Sequence, residues 1–128
     1  MKPAWLAKLS PSWRARMVRL GFNFHPAFRG TGGRVVAPKV MYWGLRKWLM
    51  GQAAAGTFGL DLVDTTELAA VDIALAAPDL RLVWIETPAN PTWVASDIEA
   101  IAARAHARGA LVVVDNTVPT PLLTRPLT

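Results

Sequence analysis

The sequence predicts an α/β fold in which a parallel sheet is covered by helices on both faces. From residue 33 onward, short apolar runs alternate with segments of helical periodicity in the order β-α-β-α-β-α-β. The run at 111–114 is apolar at every position, as expected for a strand buried on both faces. Strands that alternate with helices need crossover connections, which place the strands parallel in one sheet.

Four segments carry the strand signal. Each is a brief run of mostly apolar residues, and Gly or Pro stands beside several of them, the pattern of a buried strand. The predicted strands are 34–37, 60–63, 81–86 and 111–114.

Three helices are predicted between these strands. The first covers 42–55, because apolar residues recur at helical spacing and Gly56 follows. The second begins at the acidic start signal Asp64–Glu67 and runs to the Ala-Pro break at 77–78. The third covers 98–108, with a capping box from Ser96 to Glu99 in front of it and Gly109 behind it. We expect no regular element in the proline-rich segment 116–126.

Composition excludes several classes of protein. With 128 residues, 52% of them apolar and 18% charged, the chain has the length of one domain and is too apolar for a disordered chain. The lack of cysteine excludes disulfide scaffolds and thiolate metal sites, and the two histidines have no carboxylate at ligand spacing, so we expect no metal. No long apolar run or secretory signal is recognisable, and we expect a cytoplasmic protein.

The charge divides the chain into two parts. Residues 1–60 contain ten Lys or Arg and no acid, whereas residues 61–128 contain nine acids and four Arg. We treat 1–32 as a basic segment, with a short helix expected near 11–20, and 33–128 as the α/β domain. Binding of the basic half to nucleic acid or a membrane surface is the least favoured function, because its cations do not form one clear face.

Polar residues follow two of the predicted strands, at the sheet edge where ligands of such folds bind. Asp115 is either a carboxylate that faces a ligand cation or a turn residue. Asn90, between two prolines, either holds its amide against a ligand or serves the turn. Tyr42 either stacks on a flat ring or is a half-buried aromatic at a helix start.

Three segments together carry a family resemblance: VVAPKVMYWGLRKWL at 35–49, RLVWIETPANPTWVASDIEAIAARAHARGALVVVDNT at 81–117, and TPLLTRPL at 120–127. They resemble the enzymes of cysteine and methionine metabolism that depend on pyridoxal phosphate, such as cystathionine γ-synthase, the cystathionine lyases and methionine γ-lyase. The E-[ST]-P-x-N-P loop and the V-D-N-T strand end are the most specific parts of this resemblance.

The resemblance implies a fold, a cofactor and a set of site residues. The fold is part of the large domain of the aspartate-aminotransferase type (fold type I), and the cofactor is pyridoxal 5′-phosphate. Asp115 is then the partner of the pyridine nitrogen, and Tyr42 stacks on the ring. Asn90 lies near the 3′-oxygen, and Thr117 lies beside the ring.

The chain also departs from the family pattern. The family lysine that forms a Schiff base with the cofactor follows the V-D-N-T strand, whereas the lysines here all precede Asp115: Lys2, Lys8, Lys39 and Lys47. The glycine turn that cradles the phosphate is also not recognisable. We therefore expect a truncated enzyme of sulfur amino-acid metabolism that has no catalytic lysine and is inactive alone; only full-length members are expected to form homo-oligomers. The alternative is a non-catalytic fragment that pairs with a full-length homologue.

Overall fold

In the computed structural model, which describes residues 33–127, a four-stranded sheet alternates with helices as the sequence predicts. The predicted helix near 11–20 lies outside the described residues. None of the helices within 33–127 is long and apolar enough to cross a membrane. In chain order, the elements are β1 (Arg34–Pro38), α1 (Trp43–Ala54), β2 (Gly59–Val63), α2 (Leu68–Leu75), β3 (Leu80–Glu86), α3 (Ile98–Ala107), β4 (Leu111–Asp115) and α4 (Thr120–Leu123).

The strands are all parallel and lie in the order β2-β1-β3-β4. Strand β1 therefore lies between β2 and β3, and the direction in which the chain adds strands reverses beside it. The predicted strands agree with the observed ones to within one residue at each end, and the parallel α/β prediction is confirmed. The strand order is information that the sequence pattern did not supply.

Each face of the sheet has its own apolar core, because successive side chains of a strand leave on opposite faces. One face packs against α1 through Leu49, and its strand residues include Val35, Leu82 and Trp84. The other face packs against α2 and α3, with Ile85 and Ile101 fully buried there. Strand β3 contributes to both cores, and all but one of its residues are buried.

Glycines end α1 and α3 as predicted. Gly56 and Gly109 have φ values of +74° and +73°, a left-handed conformation that glycine adopts without steric cost. After α1, the Thr57 N–H binds the Gln52 carbonyl at 3.0 Å and the Gly56 N–H binds the Ala53 carbonyl at 2.9 Å. This pair of bonds is the Schellman motif, which satisfies carbonyls at a helix end.

Both predicted helix-start signals are wrong in detail. Asp64 does not cap a helix: its Oδ1 accepts hydrogen bonds from the N–H and hydroxyl of Thr66 in a local turn, and these bonds lower its pKa. Helix α2 begins only at Leu68. Helix α3 is capped by Asp97, which accepts from the Ala100 N–H at 2.8 Å, and not by Ser96. The Ser96 hydroxyl lies 2.7 Å from the hydroxyl of buried Thr65.

A short helix, α4, forms within 116–126, where no regular element was expected. Pro121 stands in its first turn, where the missing N–H would have no partner inside a helix. The prolines therefore permit one turn here. Leu122 and Leu123 on α4 are 88% and 82% exposed.

Arg34 joins three segments at the amino edge of the sheet. Its Nη1 lies 2.9 Å from Asp61 Oδ1 on β2, and its Nε lies 3.2 Å from Asp79 Oδ1 just before β3. The hydrogen bond to Asp79 and the charge of Asp61 raise the pKa of Arg34. All three side chains are about one-third exposed, so we expect a modest contribution to stability.

We predict that Ile85→Ala lowers the free energy of unfolding by about 2–5 kcal/mol, because it opens a cavity in the α2 and α3 core. The matched control is Ile73→Ala on α2, since Ile73 is 78% exposed and its truncation should change stability by less than about 0.5 kcal/mol. Urea denaturation of both variants measures the difference. Equal effects at the two positions would contradict the described core.

Candidate functional site

The polar residues after β1, β3 and β4 meet at the carboxyl edge of the sheet. This edge lies beside the β1–β3 pair, where the strand order reverses. In open α/β sheets, ligands bind in the crevice at such a reversal. The fold therefore places the candidate residues where a ligand site is expected.

Glu86, the last residue of β3, connects the segments that carry Tyr42 and Asn90. The Tyr42 N–H points at both carboxylate oxygens, at 2.9 Å from Oε1 and 2.8 Å from Oε2. The Asn90 N–H binds Oε1 at 3.0 Å. Glu86 itself is only 4% exposed. One buried carboxylate thus joins the start of α1 to the loop that follows β3.

The loop after β3 is fixed along its length by further hydrogen bonds. The Ala89 N–H binds the Val94 carbonyl at 2.9 Å, and the Trp93 N–H binds the Ala89 carbonyl at 2.7 Å. The Thr87 hydroxyl accepts from the Ser96 N–H at 2.9 Å. The peptide bonds before both prolines of the loop are cis. The Asn90 side chain is exposed at the outer part of this loop.

Asp115 lies beside Glu86, since the two residues pair across β3 and β4. Strand alternation places both side chains on the α1 face of the sheet, with Trp84 and Val113. The Thr117 N–H binds Asp115 Oδ1 at 3.0 Å, and the Thr117 hydroxyl binds the same oxygen. Among residues 33–127, no donor binds Oδ2. Asp115 therefore forms a turn and still offers one oxygen to a ligand.

The Tyr42 ring lies over the first turn of α1. A Cβ added at Gly44 would stand 2.7 Å from Tyr42 Cε1, which shows that the ring occupies the space above that glycine. The Trp43 ring is a neighbour of the Tyr42 ring, with centroids 5.7 Å apart and planes tilted by 51°. Tyr42 is 48% exposed, so part of its ring surface is open to a ligand.

The structure thus brings Tyr42 and Asn90 together through Glu86, with Asp115 at the end of the neighbouring strand β4 and Thr117 in the turn that follows it. Glu86 was not among the predicted site residues. The sequence did contain a signal for Glu86. This residue ends a strand predicted to be buried, and because alternate strand residues share a face, Glu86 lies on the same face as Leu82 and Trp84. A buried acid at that position needs donors, which the adjoining loops provide.

Comparison with known proteins shows the family. The family model described as Cys/Met metabolism PLP-dependent enzyme matches residues 22–128. The chain belongs to this family. The match begins at residue 22 and so includes residues 22–32, in which the sequence motifs carried no resemblance.

The similar proteins are much longer than this chain. It is 41% identical to a chloroplastic cystathionine beta-lyase of Arabidopsis thaliana over 97 residues, which are 76% of this chain and 21% of that protein. It is 40% identical to a cystathionine gamma-lyase of Dictyostelium discoideum over 98 residues, 76% of this chain and 25% of that protein. The chain therefore spans about a quarter of these relatives' length.

Solved structures share the fold as well as the sequence. A cystathionine gamma synthase from Xanthomonas oryzae pv. oryzae, in complex with aminoacrylate and cysteine, matches with a TM-score of 0.73 and 37% identity. The match covers 76% of this chain and 25% of that one. A cystathionine gamma lyase from Micromonospora echinospora gives 0.70 and 44%, covering 75% and 25%. The prediction of a partial fold-type-I domain is confirmed.

The described residues fit the ring of pyridoxal phosphate. A cationic pyridine N–H needs an anionic acceptor, and Asp115 offers Oδ2 at the sheet edge. A flat ring needs an aromatic face, and Tyr42 offers one that is half exposed. The two lysines of the described residues are both exposed. Lys39 lies in the loop after β1, and Lys47 lies on α1.

We predict that Gly44→Ala displaces the Tyr42 ring, because the new Cβ would be 2.7 Å from Cε1. The control is Gly51→Ala on the same helix, where a Cβ meets nothing within 4 Å. Gly51→Ala should stabilise the chain by about 0.5–1 kcal/mol through helix propensity. Gly44→Ala should stabilise it less and should shift the Tyr42 ring resonances in NMR spectra. Unchanged Tyr42 resonances would show that the ring does not lie over Gly44.

Proposed function

We propose that this chain is the cofactor-ring-binding part of a pyridoxal-phosphate enzyme that acts on sulfur amino acids, as a lyase or synthase of the cystathionine type. The observation that supports the proposal is the meeting of Asp115, Tyr42 and Asn90 around Glu86 at the reversal of strand order. The names of the relatives supply the reaction class, elimination or replacement at a sulfur amino acid.

When bound, pyridoxal phosphate supplies an electron-accepting ring for a substrate carbanion. Asp115 has the role of keeping the pyridine nitrogen protonated, because an anion beside that nitrogen favours its charged form. Tyr42 would pack its ring on the cofactor ring, and the Asn90 side-chain amide would donate to the 3′-oxygen. Thr117 holds Asp115 Oδ1 by two hydrogen bonds, which would leave Oδ2 as the acceptor for the ring nitrogen.

By itself, the chain is proposed to bind the cofactor weakly and to leave the amino-acid substrate unchanged. The four lysines of the sequence all precede Asp115, whereas the family resemblance implies a reactive lysine that follows it. Lys39 and Lys47 precede the site, and both are exposed. An amine that exchanges with the substrate amine must be held against the cofactor carbonyl carbon. The exposed Lys39 side chain instead lies close to Asp64, whose pKa is lowered by the hydrogen bonds from Thr66 and also by the charge of Lys39.

A second candidate function, pairing with a longer homologous chain, is supported by the surface beyond β4. Strand β4 is apolar but only half-buried, because it is an outer strand of the described sheet. Leu122, Leu123 and Leu127 follow it and are 88%, 82% and 65% exposed. Exposed apolar residues in one region are typical of a surface that another polypeptide covers.

We predict that binding of pyridoxal phosphate quenches the Trp fluorescence of the purified chain. We also predict that Asp115→Asn raises the Kd of pyridoxal phosphate about 10-fold or more. The reason is the loss of a charge-assisted hydrogen bond to the ring nitrogen. The matched control is Asp72→Asn, because Asp72 is exposed and pairs with Arg104 on the surface. A Kd that Asp115→Asn leaves unchanged would contradict the proposed ring site.

A second measurement tests the proposed inactivity. The chain, saturated with pyridoxal phosphate, should release no 2-oxo acid from cystathionine or methionine above the rate of free cofactor. Borohydride treatment followed by mass spectrometry checks whether any lysine is joined to the cofactor. Turnover that disappears in Lys39→Arg or Lys47→Arg would show that one of these lysines takes the family role.

The pairing candidate predicts a complex between this chain and a full-length cystathionine lyase. Sedimentation of the mixture should show the complex, and Leu122→Ser with Leu123→Ser should abolish it. Ile73→Ser is the control, since Ile73 is equally apolar and 78% exposed but lies on α2. Independent sedimentation of the two wild-type proteins would exclude this function.

A further inference from the structure

We propose that Glu86 is a positioning residue that sets the relative placement of the Tyr42 ring and the Asn90 amide around the cofactor ring. The inference rests on the proposed function, because those two side chains are the ones assigned to the ring. Glu86 is proposed to act on the cofactor only through Tyr42 and Asn90, without contacting the cofactor itself. The contacts of Glu86 carry the argument.

A carboxylate that is only 4% exposed needs compensation for the water it has lost. Among residues 33–127, no cation pairs with Glu86, and its donors are the backbone N–H groups of Tyr42 and Asn90. Tyr42 is also the N-cap of α1, so the carboxylate lies at the positive end of that helix. Its negative charge is therefore stabilised by the same two segments that it joins.

Those two segments reach the sheet edge from different connections. Tyr42 follows β1, and Asn90 follows β3, so no local chain geometry fixes the distance between them. Oε1 accepts from both N–H groups, which holds both backbones to a single atom. Loss of that oxygen would leave two donors unpaired and would allow α1 and the loop to separate.

The position of Glu86 distinguishes this role from a general contribution to stability. Its two partners are the backbones of the two residues whose side chains serve the ring, and its neighbour in register is Asp115. Asp115 itself is held by Thr117, through bonds in which Glu86 takes no part. Substitution of Glu86 should therefore impair the contributions of Tyr42 and Asn90 while the contribution of Asp115 persists.

The first test is amide hydrogen exchange of the ligand-free chain. In the wild type, the Tyr42 and Asn90 amides should exchange at least about tenfold more slowly than that of Thr92, an exposed residue of the same loop. Glu86→Gln removes the charge and puts an NH₂ donor in place of an oxygen that accepts from the Tyr42 N–H, so it should lower this protection, whereas Glu67→Gln at an exposed site should not. Tyr42 and Asn90 amides that exchange as fast as Thr92 in the wild type would overturn the inference, whether or not the variant folds.

The second test is a double-mutant cycle on the Kd of pyridoxal phosphate, with the induced circular dichroism of the bound cofactor as a measure of ring orientation. Glu86→Gln should raise the Kd about fivefold or more in the wild type and in Asp115→Asn, and should reduce the induced signal. In Tyr42→Ala/Asn90→Ala, the same substitution should change the Kd less than about twofold.

An equal effect of Glu86→Gln in all three backgrounds would show a merely structural role and would overturn the inference. Failure of the proposed function gives a different result, because the wild type would then bind no cofactor. The amide exchange of Tyr42 and Asn90 would in that case decide alone whether Glu86 holds the two segments together.

Discussion

The burial of β3 on both faces is the constraint on which the other elements depend. Its side chains enter both cores, so α1 must cover one face and the pair α2 and α3 the other. The strand also pairs with β1 as far as Val83 and with β4 from Leu82 to Glu86. At its start, Leu80 follows Asp79, which pairs with Arg34. At its end, Glu86 lies at the carboxyl edge where the ligand is proposed to bind.

Burying a carboxylate at the end of such a strand costs free energy unless hydrogen-bond donors contact it. The start of α1 and the loop before α3 supply those donors, and so the cost of burying the charge becomes a reason for the two segments to converge. The proposed ring site thus lies at the end of the sheet, with Tyr42 and Asn90 on the segments that follow β1 and β3. The neighbouring Asp115 is organised by Thr117 in its own turn, so the two carboxylates are held by separate sets of donors.

The elements predictable from the sequence are those whose pattern reflects burial. Val112, Val113 and Val114 indicate a strand, and the glycines at 56 and 109 indicate helix ends, because those positions need particular backbone conformations. Helix starts were less predictable, since Asp64, Ser96 and Asp97 can each bond to several nearby groups and only tertiary packing decides among them. The strand order and the partners of Glu86 depend on contacts between distant segments, about which periodicity carries no information.

Helix α3 ends like α1, because the Ala110 N–H binds the Ala105 carbonyl at 3.0 Å and the Gly109 N–H binds the His106 carbonyl at 2.9 Å. These two Schellman endings have a practical consequence. Helices that connect parallel strands run back across the sheet, so both endings lie at the amino edge, opposite the carboxyl edge that bears Glu86 and Asp115. His106 and Arg108 near the end of α3 are exposed. A fluorophore or a surface tether attached there stands a full strand length from the ligand edge, and so the chain can be immobilised or labelled with that edge left open to solution.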